Sequence, residues 1–142
     1  LVYVGGGNTS FMLEIWRKNN FEQLFKIAYE KGIILSGVSA GAVCWFDWIL
    51  SDSMGLGFKP LKGINLIEGS CTPHSSNIER INEFKLNIKN NKLPNGIAID
   101  DGVAVVFIDG KPTEVYSTVD NQGAYFLDKN KKINLKEYIK NT

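Results

Sequence analysis

Short apolar runs and helical periodicities alternate along the first part of this chain. The runs at 1–4 (LVYV) and 33–38 (IILSGV) are apolar and β-branched, as expected of strands. Between them, apolar residues recur at helical spacing in 11–18 and 21–32, and two asparagines at 19–20 separate these segments. The pattern therefore predicts the order strand, helix, helix, strand.

The two predicted helices have recognisable ends and inward faces. Thr9 or Ser10 can cap the first helix by accepting a backbone hydrogen bond, and Gly32 can end the second. The second helix is expected to direct four apolar side chains inward: Leu24, Phe25, Ile27 and Ala28.

The alternation continues in the middle of the chain. Residues 39–50 (SAGAVCWFDWIL) predict a buried helix, 51–63 a polar loop rich in glycine, and 64–69 (INLIEG) a short strand. The segment 77–91 predicts an amphipathic helix. Its apolar positions at helical spacing are Ile78, Ile81, Phe84 and Ile88.

Asp-Gly pairs punctuate the last third of the chain. They join strand-like runs at 97–100, 103–108 and 111–117, which predicts a three-stranded antiparallel meander. The lysine-rich stretch 128–142 is expected to be a solvated end. Together the elements predict one α/β domain over 1–142, with a mostly parallel sheet and an antiparallel meander at one edge.

Composition narrows the class of protein. The chain has 142 residues, of which 44% are hydrophobic and 22% charged, as in ordinary globular domains. Its net charge of +1 gives no indication of nucleic acid or a membrane surface as partner. Cys44 and Cys71 are expected to be buried free thiols, which are typical of cytoplasmic proteins. No stretch approaches the roughly 18 apolar residues of a membrane span. No charged segment followed by an apolar one is found at the start of the sequence, so a secretion signal is not expected.

The candidate nucleophile is a serine between small residues. Residues 37–41 (GVSAG) match G-x-S-x-G, with a predicted strand before and a predicted helix after. A tight strand-to-helix turn exposes the Oγ of Ser39, and the helix start directs backbone N–H groups at a developing oxyanion. A tightly packed glycine- and serine-rich turn is the structural alternative.

A serine hydroxyl needs a base, and the chain has one histidine. His74 follows a predicted strand, where the carboxyl ends of parallel strands bring functional residues together. A carboxylate should orient the imidazole. Asp52, in the loop after the nucleophile helix, is the first choice. The other candidates are Asp47, Glu68, Asp100 and Asp101, of which the last two lie in a predicted hairpin turn.

The segment 4–9 (VGGGNT) offers a second oxyanion contact. Its glycines allow the backbone to approach a ligand closely, and Asn8 and Thr9 can donate hydrogen bonds to that ligand. A phosphate-binding loop is disfavoured, because Ser10 stands where G-x-G-x-x-G requires glycine and no G-K-[ST] follows.

Taken together, VGGGNT, GVSAGA, SDS, PH and IDDGVAVVF resemble the dipeptidase E family of serine peptidases. This family includes aspartyl dipeptidase and, more distantly, cyanophycinase. The resemblance runs along most of the chain with the motifs in family order. It implies a three-layer fold like that of the class I glutamine amidotransferases, with a Ser-His-acid triad on a flavodoxin-like sheet.

The resemblance implies roles for individual residues. Ser39 matches the nucleophile, His74 the base, and Asp52 lies near the position of the family acid. The backbone N–H groups of Ala40 and of the glycine loop (Gly6, Gly7) would bind the oxyanion. Arg80 lies in a region that can meet an acidic substrate side chain, although pairing with a neighbouring glutamate explains it equally well. Asn8 and Thr9 complete the expected substrate contacts.

The resemblance also implies an incomplete sheet. Family members carry further βα units before the glycine loop, so this chain would correspond to the later two-thirds of the family domain. A second copy of the chain is one expected means of covering the exposed sheet. No metal or organic cofactor is expected. The alternative function is an inactive domain that binds a ligand or partner.

Two other enzyme classes fit the residues less well. A glutamine amidotransferase needs a cysteine nucleophile and commonly His-x-Glu, whereas this chain has Ser39 and, two residues after His74, Ser76. An α/β-hydrolase esterase places its histidine last, after a much longer interval. A serine peptidase or amidohydrolase acting on small peptides, with Asp-X dipeptides among the candidate substrates, is therefore the leading prediction.

Overall fold

The computed structural model describes residues 1–141, in which strands and helices alternate. The strands are β1 (Val2–Val4), β2 (Leu35–Gly37), β3 (Phe46–Ser51), β4 (Lys59–Lys62), β5 (Ile67–Thr72), β6 (Gly96–Ile99), β7 (Val103–Ile108), β8 (Lys111–Ser117), β9 (Ala124–Leu127) and β10 (Lys132–Asn134). The helices are α1 (Thr9–Lys18), α2 (Phe21–Glu30), α3 (Ala40–Val43), α4 (Ile78–Lys89) and α5 (Leu135–Lys140).

The strands form one large sheet and two pairs. The large sheet has the order β10-β9-β6-β5-β3-β4, and its central strands β3, β5 and β6 run parallel. The flanking strands β4, β9 and β10 are antiparallel to their neighbours. The strands β1 and β2 pair in parallel, and β7 and β8 form an antiparallel pair. The protein is thus a mixed α/β structure with a parallel centre, which is compatible with a flavodoxin-like fold.

Hydrophobic clusters cover both faces of the large sheet. On one face, Leu13 of α1 and Leu135 of α5 pack with Ile49. On the other face, Phe84 and the rest of the buried side of α4 pack with Leu50. Ile49 and Leu50 are adjacent on β3 and point to opposite faces, because successive side chains alternate along a strand. The central strand is therefore buried on both sides.

The chain after Ser39 differs from the prediction. The predicted helix over 39–50 is wrong for most of its length: α3 ends at Val43, and residues 46–51 form the central strand β3. A continuous apolar run suits a buried helix and a strand covered on both faces equally well, so periodicity could not separate them. The adjoining strand β5 also begins and ends about three residues later than predicted.

The predicted meander is only half present. The strands β7 and β8 form the expected hairpin, and Asp109 and Gly110 at its turn have positive φ angles of 50° and 74°. The strand β6 does not pair with β7. It lies in the large sheet between β5 and β9, so the Asp101–Gly102 pair is not a hairpin turn.

Several details of the helices also differ. Asn8 caps α1 by accepting a hydrogen bond from the Phe11 backbone, in place of Thr9 or Ser10. On α2, Phe25 packs against the core as expected, whereas Leu24 and Ile27 are exposed. On α4, Ile81, Phe84 and Ile88 are buried as expected, and Ile78 is exposed.

The lysine-rich C-terminal stretch has more structure than predicted. The strand β10 pairs with β9, and α5 follows with Leu135 fully buried. Isolated apolar residues among lysines gave no clear helical pattern. Thr142, the last residue of that stretch, lies outside the described residues.

Both cysteines are free and buried, as predicted. Burial raises the pKa of both thiols well above the usual range. Among residues 1–141, no helix has the length and apolar character needed to cross a membrane.

Candidate active site

Ser39 lies in a strained turn between β2 and α3. Its backbone angles are φ 53° and ψ −115°, a region that residues other than glycine rarely adopt. The strand positions the serine at the end of β2, and α3 starts with the next residue. The sequence motif thus adopts the strand–turn–helix geometry that makes a serine side chain accessible.

The two glycines of G-x-S-x-G are required by close packing against β1. A Cβ on Gly37 would lie 2.3 Å from the Gly41 carbonyl oxygen, and a Cβ on Gly41 would lie 2.1 Å from the Val4 carbonyl oxygen. Real Cβ atoms do not approach backbone so closely. The Val38 N–H donates to the same Val4 oxygen at 3.1 Å, which holds the turn against β1.

The glycine loop after β1 lies beside the serine. A Cβ on Gly6 would be 3.4 Å from the Cβ of Ser39 and 3.9 Å from its Oγ. Gly7 has a φ of 149°, which L side chains rarely adopt. Asn8 uses its side chain to cap α1 and to donate to the Ser53 carbonyl oxygen at 3.3 Å. Thr9 is buried and lines the neighbouring cavity.

The structure brings Ser39 and His74 together. His74 follows β5 with a positive φ of 52°, and its Nε2 lies 2.9 Å from the Ser39 Oγ. The imidazole Nδ1 faces the carboxylate of Asp101. If Nδ1 is protonated and donates a hydrogen bond to this carboxylate, the lone pair of Nε2 is free to accept the proton of the serine hydroxyl. This is the arrangement of a general base.

The carboxylate at His74 belongs to Asp101 and not to Asp52. Asp101 accepts hydrogen bonds from His74 Nδ1 and from the Ser76 hydroxyl, the latter at 3.2 Å. The hydrogen bond from His74 is the main cause that lowers the pKa of Asp101, so the carboxylate stays ionised into the acidic range. We refer to Ser39, His74 and Asp101 together as the Ser39–His74–Asp101 array.

Asp101 reaches His74 because of the sheet topology. The strands β5 and β6 are parallel neighbours, so His74 after β5 and Asp101 after β6 emerge at the same edge. This relation was readable from the order of the strands, but the Asp-Gly pair suggested a hairpin and hid it. Asp100 braces the same loop: its buried carboxylate accepts from the Ser75 hydroxyl at 2.5 Å and from the Gly123 N–H at 3.0 Å.

The other carboxylates are engaged or placed elsewhere. Asp52 accepts a hydrogen bond from Arg80 Nη2 at 2.7 Å. Asp47 pairs with Lys62 at 2.8 Å across β3 and β4. Glu68 is exposed near the start of β5, at the opposite end of that strand from His74.

A small cavity opens beside the array. Its volume is about 230 Å³, below the roughly 300–1,000 Å³ of pockets for drug-sized ligands. The ionisable side chains that line it are Asp52, His74 and Arg80, and Gly7 and Ser39 contribute to the same wall. A short, polar ligand would therefore lie next to the serine hydroxyl.

The backbone around Ser39 can supply oxyanion donors. The Gly41 N–H is used by the Val38 carbonyl oxygen at 2.9 Å. The Ala40 N–H donates to no acceptor recorded among residues 1–141. Within the same residues, no three His, Cys, Asp or Glu side chains lie close enough to hold a metal ion. The arrangement can therefore support attack by Ser39 with assistance from His74 and from backbone N–H groups.

Comparison with known proteins identifies the family of this chain. The model of peptidase family S51 matches residues 1–115. The uncharacterized peptidase YgaJ of Bacillus subtilis (strain 168) is 34% identical over 126 residues, which cover 88% of this chain and 54% of YgaJ. The chain thus spans about half the length of this curated relative. The matched residues begin before β1, include the glycine loop and the G-x-S-x-G motif, and end within β8, and the chain belongs to peptidase family S51.

Proposed function

We propose that this protein is a serine peptidase that hydrolyses small peptides with Ser39 as nucleophile, His74 as base and Asp101 as the orienting acid. The observation that carries the proposal is the continuous hydrogen-bonded array beside a cavity. The strained backbone of Ser39 supports it, because packing alone does not require a positive φ at a serine.

The proposed reaction follows from these contacts. The Ser39 Oγ attacks the peptide carbonyl carbon while His74 Nε2 takes the hydroxyl proton. The tetrahedral intermediate then breaks its C–N bond, and His74 gives the proton to the leaving amine. Water next attacks the acyl–serine ester with His74 again as base. The second tetrahedral intermediate breaks its bond to the Ser39 Oγ, which takes the proton back from His74, and the carboxylic acid product leaves. Asp101 holds the imidazole in the productive tautomer and stabilises its positive charge.

Backbone donors are proposed to stabilise the oxyanion. The Ala40 N–H follows the nucleophile directly, and the N–H groups of Gly6 and Gly7 lie in the loop beside Ser39. Such donors typically contribute about 2.7–4 kcal/mol each to transition-state stabilisation. The mechanism requires no metal or organic cofactor.

The proposed substrates are short peptides, because the cavity is small and polar. Asp-X dipeptides are included, since Arg80 lines the cavity and guanidinium groups bind carboxylates. Arg80 is only 8% exposed in its side chain and already pairs with Asp52, so its access to a substrate carboxylate is restricted. Thr9 also lines the cavity, whereas Asn8 is engaged in capping α1.

A fluorophosphonate probe tests the nucleophile. Such probes form a covalent bond with an activated serine, so we expect the wild-type protein to be labelled and Ser39→Ala to be unlabelled. Ser117→Ala is the matched control, because Ser117 is an exposed serine on β8. Equal labelling of wild type and Ser39→Ala would contradict the proposal, as would no labelling of the folded wild-type protein.

A further inference from the structure

A second cavity lies between α4 and the turn that joins β9 to β10. Its volume is about 440 Å³, which is larger than the cavity beside Ser39 and within the roughly 300–1,000 Å³ of small-molecule sites. Leu127, which lines it, pairs with Gly96 at the start of β6, whereas Asp101 follows the end of that strand. The second cavity therefore opens at the opposite edge of the sheet from the Ser39–His74–Asp101 array.

Positive charge is concentrated around this second cavity, which we call the lysine groove. Its wall includes five lysines, two from α4 and three from the segment between the end of β9 and the start of β10: Lys85, Lys89, Lys129, Lys131 and Lys132. The acidic residue described in the same wall is Asp128. Five lysines and one aspartate give the groove a net charge of +4, although the whole chain carries only +1. The rest of the chain is therefore negative, and its cations are gathered here.

Most lysines of the groove have no neutralising partner. The Oδ1 of Asp128 accepts from the backbone N–H groups of Asn130 and Lys131 at 2.8 and 2.9 Å, and its Oδ2 lies 4.0 Å from the Lys131 Nζ. Within residues 1–141, the other four lysines of the groove form no ion pair. Their ammonium groups are thus available to an anion from solution.

Lys85 and Lys132 come from different elements and repel each other. Partial burial and the neighbouring Lys85 ammonium lower the pKa of Lys132, and the negative charge of Asp100 offsets this only in part. The ring of Tyr125 holds Lys132 in place, with the Nζ 3.6 Å from the ring centroid. An anion bound between the two ammonium groups would remove the repulsion.

The chemistry of the wall favours phosphate over carboxylate. Lysine ammonium groups bind phosphate as compact point charges, whereas bidentate recognition of carboxylates favours arginine, and the described wall contains no arginine. Leu86, which is 48% exposed, and Leu127 add apolar surface that an organic group can contact. Lys89 has a simpler role as well, because it lies in the last turn of α4 and complements the helix C-terminus.

We propose that the lysine groove binds a small molecule that carries adjacent phosphate groups. A solvated face of lysines is common on an exposed helix, but here the lysines converge from two elements on one concave surface. Several ammonium groups around one cavity suit a ligand with several neighbouring negative charges. This site is separate from the proposed peptidase site, so its binding does not depend on an active nucleophile.

Isothermal titration calorimetry in about 0.15 M NaCl tests the proposal under conditions that screen weak surface attraction. The probes are inorganic phosphate, pyrophosphate, ADP and citrate. We expect pyrophosphate to bind at least about tenfold more tightly than phosphate, because its second phosphate can accept from further ammonium groups. Citrate places comparable charge on carboxylates and should bind more weakly than pyrophosphate. Tighter binding of ADP than of pyrophosphate would identify an organic diphosphate, and equal binding would identify the diphosphate group alone.

The variant Lys85→Gln/Lys132→Gln should weaken pyrophosphate binding at least about tenfold. The matched control is Lys18→Gln/Lys31→Gln, which removes the same charge from exposed positions at the ends of α1 and α2, outside the groove. It should bind pyrophosphate as the wild-type protein does. An equal loss in both double variants would show that net charge alone governs binding and would overturn the proposal.

NMR chemical shifts of the wild-type protein locate the bound probe without any substitution. We expect pyrophosphate to shift the amides of Lys85, Leu86 and 127–132, and to leave that of Ser39 unchanged. Shifts confined to the cavity beside Ser39, no binding of pyrophosphate below about 10 mM, or equal affinity for citrate would each overturn the proposal. If the Lys85→Gln/Lys132→Gln protein does not fold, this map and the ranking of the four probes decide.

Discussion

Asp52 and Asp101 hold different places in the site, and the place predicted first for Asp52 is the one that Asp101 holds. Its place in the loop after the nucleophile helix made Asp52 the first choice for the acid that orients His74, with Asp101 among the alternatives. In the structure Asp101 contacts the imidazole and Asp52 contacts Arg80. The distinction is a matter of single hydrogen bonds, which a sequence without strand order cannot reveal. It makes the two carboxylates separable by mutation.

We expect Asp101→Asn to lower kcat/KM by roughly a thousandfold or more. An amide at this position can donate to Nδ1, which favours the tautomer with its proton on Nε2 and removes the acceptor for the serine hydroxyl. The measurement is kcat/KM on a dipeptide that the wild-type protein hydrolyses, together with the rate of fluorophosphonate labelling. Asp47→Asn is the control, since Asp47 pairs with Lys62 away from His74. Activity of Asp101→Asn within a few-fold of wild type would exclude Asp101 as the orienting acid.

At the scale of elements, Gly37 and Gly41 of the G-x-S-x-G motif allow β1, β2 and α3 to pack closely together. Gly41 lies where α3 touches β1, and any side chain there would collide with the Val4 carbonyl. We expect Gly41→Ala to lower the free energy of unfolding by about 2–3 kcal/mol, the cost of forcing extra volume into a packed site. Gly5→Ala should have a small effect, because a Cβ on Gly5 has no atom within 4 Å.

Urea denaturation of the two alanine variants provides the comparison. The unfolding free energy of Gly41→Ala should fall well below that of Gly5→Ala, and fluorophosphonate labelling should slow because the turn around Ser39 shifts. Equal stabilities would mean that β1 moves away from α3 at little cost. In that case close packing does not explain the glycine.

The elements also show what the sequence could and could not determine. Helical periodicity correctly located α1, α2 and α4, because each has one apolar side and a polar one. The strand β3 was mistaken for a helix, since residues buried on both faces carry no period. The strand β6 was misplaced, because Asp101–Gly102 resembles a hairpin turn locally while the pairing of β6 with β5 and β9 is a long-range property. Because β6 was misplaced, Asp101 was not predicted to lie beside His74, and Asp52 was preferred as the acid.

At the scale of the whole molecule, exposed apolar side chains are concentrated at one end of the sequence. Among residues 1–141, eleven of the eighteen exposed large apolar side chains lie within 1–38. They include Tyr3 on β1, Leu24 on α2 and Ile34 before β2. The two-stranded β1–β2 sheet also has unpaired edges. An apolar surface of this kind favours association, and we propose a second copy of the chain as the partner that covers it.

Sedimentation velocity at increasing concentration tests this proposal. We expect the average mass to rise above the 15.8 kDa of one chain, and Leu24→Glu or Ile34→Glu to return it towards that value because a buried charge opposes association. Leu56→Glu is the control, since Leu56 is 96% exposed in the loop after β3 and outside residues 1–38. It should leave the mass unchanged. A single species of 15.8 kDa at every concentration would show that a second copy does not cover this surface, and an equal response to Leu56→Glu would show that association uses another part of the molecule.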